Sequence, residues 1–207
     1  YCSNCSSLTS LEGAPQKVGG ILFVVSDLTH SLKGAPQEVG GNVYCSECTS
    51  LTSLKGAPQK VGWNFICSKC TSLTSLKGAP QEVGEYFSCY NNQLTSLKGA
   101  PHKVDGNFYC HNNQLTSLEG APQEIGGDFS CYKNQLTSLE GAPQEVGGSF
   151  YCYENQLTSL RGAPQTVGYW FDCRSNQLIS LKGAPIEVGG NFDCRWNPDL
   201  YSLEGIG

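Results

Sequence analysis

The chain has 207 residues, which is long enough for one large domain or two small ones. Only 15% of the residues are charged, and the net charge of −5 argues against a nucleic-acid binder that neutralises phosphates. The longest apolar run covers residues 21–25, far short of the ~20 residues needed to cross a bilayer. We therefore predict no nucleic-acid partner and no membrane span.

A repeat runs along the whole chain. The tripeptide Gly-Ala-Pro occurs nine times at intervals of 21 or 22 residues. A typical unit begins at Leu115 and reads LTSLEGAPQEIGGDFSCYKNQ, and the next begins at Leu136 with the same LTSL. Self-similarity at such a period is typical of solenoids. Since no linker or shift in composition interrupts it, we predict a single array of about ten coils over residues 1–207.

Each unit combines a strand pattern with a turn. Phe108 and Cys110 are two residues apart, so their side chains point to one face of a strand, which we predict to be the inward face. Asn113 ends the strand, and Leu115 and Leu118 follow it. Gly-Ala-Pro cannot continue a helix. We therefore predict extended or turn-like return segments with little or no helix.

The pattern F-x-C-x-x-N-x-L-x-x-L resembles the leucine-rich repeat, with Phe and Cys where two leucines usually stand. The turn-like return segment resembles the short repeats of bacterial effector-type proteins, which suggests a bacterial or bacteriophage source. The resemblance implies a mainly β solenoid, a curved rod with one parallel β-sheet on its concave face. It also implies an asparagine ladder in which each side chain binds backbone groups of its own and the neighbouring coil: Asn92, Asn113, Asn134, Asn155, Asn176 and Asn197.

The first units and the two ends depart from the regular pattern. Around residues 21–30, Val24 stands at the cysteine position and Asp27 at the asparagine position, and we assign no function to this change. The chain begins inside a strand and ends inside a return segment, without the polar caps that solenoids usually carry. These ends favour a fragment that lacks its caps, and end-to-end self-association is the alternative.

Twelve cysteines suggest three alternatives. The spacing C-x₂-C-x₁₈-C-x₂-C is typical of a zinc site, with Cys45, Cys48, Cys67 and Cys70 as ligands. Leucine-rich repeats, however, accept Cys in place of the ladder Asn, so we favour a structural cysteine ladder with no metal and no cofactor. Disulfides are disfavoured because neighbouring Cβ vectors would be parallel. Mostly reduced thiols would suit a reducing compartment, the cytoplasm or a host cytosol; a cell or virion surface is the alternative.

Outward strand positions form columns in which residue types vary. Tyrosine, tryptophan and arginine are enriched at interface hot spots. We therefore predict a partner-binding surface formed by Tyr90, Tyr109, His111, Tyr132, Tyr151, Tyr153, Trp170, Asp172, Arg174, Asp193, Arg195 and Trp196. Two structural alternatives stay open. Stacked tyrosines can simply stabilise neighbouring strands, and the two Asp and two Arg can form a cross-strand charge square.

Catalytic motifs are missing from the sequence. The histidines His30, His102 and His111 fall at different repeat positions, and the Gly-Gly pairs match no phosphate-binding motif. We predict a non-enzymatic module that binds another protein on the concave face. The alternative is a structural or surface-recognition segment of an adhesin, fibre or virion, with a glycan as ligand. A third hypothesis is ice binding through an outer threonine array, Thr95, Thr116, Thr137 and Thr158.

Overall fold

The computed structural model describes residues 9–24 and 30–203. The prediction for Asp27 and those for the two chain ends lie outside these residues. Every regular element in the described part is a β-strand. None of its residues forms a helix that could span a membrane.

Eighteen strands of two residues each are present in the described part. In chain order they are β1 (Lys17–Val18), β2 (Leu22–Phe23), β3 (Glu38–Val39), β4 (Val43–Tyr44), β5 (Lys60–Val61), β6 (Phe65–Ile66), β7 (Glu82–Val83), β8 (Phe87–Ser88), β9 (Lys103–Val104), β10 (Phe108–Tyr109), β11 (Glu124–Ile125), β12 (Phe129–Ser130), β13 (Glu145–Val146), β14 (Phe150–Tyr151), β15 (Thr166–Val167), β16 (Phe171–Asp172), β17 (Glu187–Val188) and β18 (Phe192–Asp193).

The even-numbered strands, one from each of nine successive coils, form a nine-stranded parallel sheet in chain order. The register repeats from coil to coil: Phe129 faces Phe108 on one side and Phe150 on the other. The predicted β-solenoid with a parallel sheet is thereby confirmed. We call this sheet the front sheet and its outward side, which carries the side chains before and after the strand cysteine, the front face.

The return segments contain a second set of parallel strands. The odd strands β1 to β11 form a six-stranded sheet, and β13, β15 and β17 form a three-stranded one. Charges alternate along the first: Lys17, Glu38, Lys60, Glu82, Lys103 and Glu124. The two sheets meet between β11 and β13, where Glu124 is followed by Glu145, and the Gly147 N–H still donates to the Ile125 carbonyl oxygen at 3.2 Å.

Phenylalanine rings from successive coils fill the centre of the solenoid. Neighbouring rings from Phe65 to Phe171 lie 5.1–5.6 Å apart between centroids and are fully buried. The other predicted inward residues of the typical unit are buried as well: Cys110, Leu115, Leu118, Ala121 and Ile125. A single coil would leave this apolar edge in water, so stacking of coils supplies the core.

Two kinds of glycine permit this stacking. Gly120, from the Gly-Ala-Pro tripeptide, has a φ of 88°, a backbone conformation that side chains with a Cβ rarely adopt. Gly126 precedes the front strand, and a Cβ built on it would lie 2.0 Å from the carbonyl oxygen of Asp105 in the preceding coil. We expect the Gly-Gly pair to form a tight turn. The close approach of two backbones is a second reason for glycine at this position.

The asparagine ladder is present. Asn134 Nδ2 lies within hydrogen-bond distance of the carbonyl oxygens of Cys110, Cys131 and Tyr132, at 3.2, 2.9 and 3.3 Å. Its Oδ1 accepts a hydrogen bond from the backbone N–H of Leu115 at 3.0 Å. One side chain thus satisfies buried backbone groups of two coils, as predicted.

Removal of one rung should destabilise the solenoid. Asn134→Ala leaves several buried backbone groups without a partner, and we expect the free energy of unfolding to fall by about 3 kcal/mol. Urea denaturation followed by circular dichroism measures this change. Gln135→Ala, at the exposed neighbouring position, is the control and should change the value by less than about 0.5 kcal/mol. Equal effects of the two substitutions would refute the ladder's role.

Candidate partner-binding face

The front face owes its side chains to strict alternation. Phe108 and Cys110 are fully buried, whereas Tyr109 and His111 between and beyond them are partly exposed. Neighbouring parallel strands lie about 4.8 Å apart, so equivalent outward side chains of successive coils must touch. The face therefore consists of two columns, one before and one after the strand cysteine.

The column after the cysteine is a continuous stack. Rings of Tyr90, His111, Tyr132 and Tyr153 follow one another at centroid distances of 4.7, 4.2 and 4.3 Å, with interplanar angles of 7°, 10° and 8°. The guanidinium of Arg174 lies over the Tyr153 ring, 4.8 Å from its centroid. We call these five residues the aromatic column.

Stacking determines which parts of the rings are available. Both faces of His111 and Tyr132 are covered by neighbours, so these rings turn an edge toward solvent. Burial raises the pKa of Tyr132 and of Tyr153, so both hydroxyls stay protonated at neutral pH. The column thus offers a ribbon of ring edges and neutral hydroxyl groups.

His111 is the one ionisable imidazole of the aromatic column. Its Nδ1 is buried and has no hydrogen-bond partner among the described residues. Burial and, to a smaller extent, the charge of Lys133 together lower the pKa of His111 to about 4. The ring is therefore neutral at pH 7 and serves as an aromatic spacer between two tyrosines.

The buried imidazole should make the fold sensitive to acid. The pKa of His111 is about 4 in the fold and near 6.5 in an unfolded chain, so the unfolded state binds the proton first as the pH falls. Stability should therefore be full above about pH 6.5 and decline toward pH 4. His111→Phe, which keeps a stacked ring, should lose less of its melting temperature between pH 7 and pH 4.5 than the parent chain. Identical pH profiles would contradict this role.

The column before the cysteine alternates large and small residues in the middle of the sheet. Ser88 and Ser130 are buried on either side of Tyr109, and Tyr151 follows. The Tyr109 hydroxyl accepts a hydrogen bond from Asn107 Nδ2 at 2.6 Å. This column therefore gives a stepped surface beside the continuous aromatic column.

The acidic and basic residues near β16 and β18 pair along each strand. Arg174 Nε lies 3.2 Å from Asp172 Oδ2, and Arg195 Nη2 lies 2.6 Å from Asp193 Oδ2. Each carboxylate is bound by the arginine two residues further along its own coil, and the charges also interact across the coils, Asp172 with Arg195 and Asp193 with Arg174. Burial raises the pKa of Asp172. The hydrogen bond between Asp193 and Arg195 lowers the pKa of Asp193.

Two exposed tryptophans complete the predicted set. Trp170 precedes β16, and Trp196 follows Arg195 with a φ of 56°. The guanidinium groups of Arg174 and Arg195 lie 5.8 and 5.4 Å from the centre of the Trp196 ring. All twelve predicted residues thus lie on or beside the front face, and their role in binding stays a prediction.

Sequence reasoning missed a second polar ladder. In several units, the residue just before the front strand accepts a backbone N–H from the next coil through its side chain. Asn42 Oδ1 binds the N–H of Asn64 at 3.1 Å, and Asn107 Oδ1 binds that of Asp128 at 2.7 Å. The recurrence of Asn, Asp or Ser at this position was the available signal. Trp170 stands in the same position.

The four cysteines of the zinc alternative lie in two adjacent coils, and their thiols donate to backbone carbonyls. Cys70 Sγ lies 3.0 Å from the Cys45 oxygen, and Cys48 Sγ lies 3.3 Å from the Val24 oxygen. Burial raises the pKa of Cys45 and Cys67, so the protonated thiol is favoured. Within residues 9–24 and 30–203, no group of three or more His, Cys, Asp or Glu could hold a metal ion. The reduced state of the cysteines stays a prediction.

Cysteine and asparagine are interchangeable at the ladder position. The backbone N–H of Cys70 donates to Asn92 Oδ1 at 2.7 Å, which joins the cysteine units to the asparagine ladder. Repeat pattern, parallel front sheet and ladder therefore agree. The described part of the chain is a β-solenoid whose repeat resembles the leucine-rich repeat. This repeat explains the zinc-like spacing, because the intervening 18 residues follow from the period.

Comparison with known proteins adds one similar structure. No protein-family model matches the chain, and no curated protein matches it. Among solved structures the chain is similar to YopM from Yersinia enterocolitica WA-314, with 20% sequence identity and a TM-score of 0.47. The alignment covers 97% of this chain and 49% of that one, so the chain spans about half the length of YopM.

Proposed function

We propose that this chain is a non-catalytic interaction module that binds a partner protein on the front face. The observation that carries the proposal is the aromatic column, a run of four stacked rings and an arginine on one sheet surface. Leucine-rich-repeat solenoids present extended surfaces of this kind, and such surfaces suit protein partners.

The residue types and their rigidity support this proposal. Tyrosine and arginine dominate interface hot spots because they combine a large apolar area with polar groups. Neighbours already hold Tyr132 and Tyr153 in place, so binding would cost little side-chain entropy. A pre-ordered surface of ring edges and hydroxyls suits the polar backbone and side chains of a protein partner.

Ring geometry supports a protein partner over a glycan. Sugars bind aromatic residues by stacking on a ring face, but neighbouring rings cover both faces of His111 and Tyr132. A glycan would have to separate these rings and would lose their contact energy. The glycan alternative therefore receives less support from the aromatic column than a protein does.

The arrangement of ionisable groups supports a non-catalytic role. His111 is enclosed between two tyrosines with its pKa lowered to about 4, so it is a poor general base at neutral pH. The carboxylates of Asp172 and Asp193 are each bound by an arginine. The strand thiols from Cys45 to Cys173 lie beneath the face and are fully buried, and Cys194 is partly buried.

Site-specific crosslinking followed by calorimetry tests the proposal. A photoreactive phenylalanine analogue at Tyr151 should crosslink a partner protein in an extract of the source organism, whereas the same analogue at Gln123 on the return side should not. The partner, identified and purified, should bind the parent chain in solution. Tyr132→Ala combined with Tyr153→Ala should weaken this binding at least tenfold, or about 1.4 kcal/mol.

Two control variants separate binding from packing. Tyr132→Phe with Tyr153→Phe keeps the stacked rings and tests the hydroxyls alone, while Glu124→Ala with Glu187→Ala alters only the return side. Melting temperatures of all variants identify any loss that comes from unfolding. The proposal fails if the return-side pair abolishes binding while the alanine pair on the front face keeps it.

A further inference from the structure

We propose that one end of the front face is an anchor for carboxylate side chains, and that it takes an acidic segment of the partner protein. This inference rests on the proposed function and names the chemistry of the partner. The residues involved, which we call the arginine–tryptophan patch, are Trp170, Asp172, Arg174, Asp193, Arg195 and Trp196.

Charge in the patch is layered, with carboxylates beneath and guanidinium groups above. The Asp172 side chain is 6% exposed against 31% for Arg174, and the Asp193 side chain is 17% exposed against 67% for Arg195. Each aspartate also accepts the backbone N–H of its arginine, at 3.2 and 3.1 Å. The surface therefore presents positive charge although the pairs are formally neutral.

Other ion pairs at the edge of the front face lack this layering. Lys69 and Glu47 lie 3.2 Å apart, Lys133 and Glu154 lie 3.7 Å apart, and both members of each pair are well exposed. A partner meets both signs of charge there. An acidic segment is attracted to the arginine–tryptophan patch. The rest of the surface repels such a segment, because the net charge of the whole chain is −5.

Trp196 occupies a backbone position that disfavours a large side chain. Every unit whose residue at this position is described has a positive φ there, and the other residues are Glu47, Lys69, Asn91, Asn112, Lys133, Glu154 and Ser175. A bulky residue in the left-handed region is strained, and such strain is often associated with function. Trp196 is nonetheless 65% exposed, so burial does not compensate for it.

The tryptophan holds both arginines at one place. Arg174 and Arg195 each lie within 6 Å of its ring centre, at a distance where a cation is attracted to an aromatic ring. The two guanidinium groups of neighbouring coils thus share one aromatic partner. Asp193 already binds the Nε and Nη2 side of Arg195, so a glutamate or aspartate of the partner would pair with the remaining guanidinium N–H groups in a charge-assisted way.

Trp170 supplies an apolar wall on the other side of the patch. It is 50% exposed although described coils lie on both sides of it. Units such as that of Asn107 have a side-chain acceptor of the second polar ladder at this position. Trp170 has an exposed indole there instead, and its backbone N–H donates to Ser149 Oγ. Exposed aromatic groups around a charged pair exclude water once a partner is bound, which strengthens the pair.

Nuclear magnetic resonance can read the patch directly, since the chain has only three tryptophans, Trp63, Trp170 and Trp196. The probe is a hexaglutamate peptide with blocked ends, titrated at constant ionic strength. We expect the indole N–H signal of Trp196 to shift in a saturable way while that of Trp63 does not. Hexalysine and inorganic phosphate should leave the indole N–H signal of Trp196 unmoved. Added 0.5 M salt should weaken the shift caused by hexaglutamate, because the screening length falls to a few ångströms as the salt approaches 1 M.

Two variants make the result specific. Arg195→Ala should weaken binding of the hexaglutamate peptide about fivefold. Arg161→Ala removes an equal charge from an exposed ion pair elsewhere and should leave peptide binding unchanged. Trp196→Asn should keep or raise the melting temperature, because Asn tolerates this backbone conformation. The same substitution should weaken binding of the peptide, which is then measured from the indole N–H signal of Trp170. A loss of binding without a loss of stability separates recognition from packing.

Several outcomes would overturn the inference. These are an unmoved Trp196 signal, an equal shift of Trp63, a shift caused equally by phosphate or hexalysine, and equal effects of Arg161→Ala and Arg195→Ala. If the acidic peptide fails while the alanine pair at Tyr132 and Tyr153 still abolishes partner binding, only the carboxylate anchor is refuted. If that alanine pair has no effect, the proposed function itself fails.

Discussion

At the position after each return strand, successive coils lie so close together that their backbones leave little room for a Cβ. A Cβ on Gly126 would lie 2.0 Å from the Asp105 oxygen, and the glycines at this position from Gly40 to Gly189 meet the same obstacle, with Asp105 as the exception among them. This spacing lets parallel strands exchange hydrogen bonds, places phenylalanine rings in contact and brings each ladder asparagine within reach of two coils. Core, sheets and ladders therefore depend on one backbone distance, which glycine permits.

The same distance makes residue identity matter at every surface position. On the front face, equivalent side chains must touch, so aromatic residues stack and an arginine extends the stack. On the return side, lysine and glutamate alternate from Lys17 to Glu124, and Lys17 and Glu38 form an ion pair at 2.8 Å. A binding surface on such a scaffold can change by substitution within a column while the backbone stays the same.

Most of the fold could be predicted because a repeat exposes its own constraints. The inward phenylalanine and cysteine, the ladder asparagines and the turn glycines recur at one period, and each has a single physical explanation. The second sheet was harder, because its two-residue strands, such as Glu124–Ile125, look like any extended segment. Pairing of Asp172 with Arg174 could not be read from spacing, since the choice between neighbours along and across strands depends on side-chain geometry and burial. Aromatic residues on a sheet serve both packing and recognition, so the sequence could place the candidate face but not its use.

A pair of alanine substitutions at equivalent positions tests the dependence on coil spacing most directly. Gly126 and Asp105 follow the return strands of adjacent units, and a Cβ built on Gly126 would lie 2.0 Å from the Asp105 carbonyl oxygen. Asp105→Ala keeps a Cβ that its position already holds and removes only an exposed ion pair, so it should change the free energy of unfolding by less than about 0.5 kcal/mol. Gly126→Ala should lower it by about 2 kcal/mol, because the coils must move apart. A clearly larger loss for Gly126→Ala in urea denaturation supports the account, and a stabilising or neutral Gly126→Ala would contradict it.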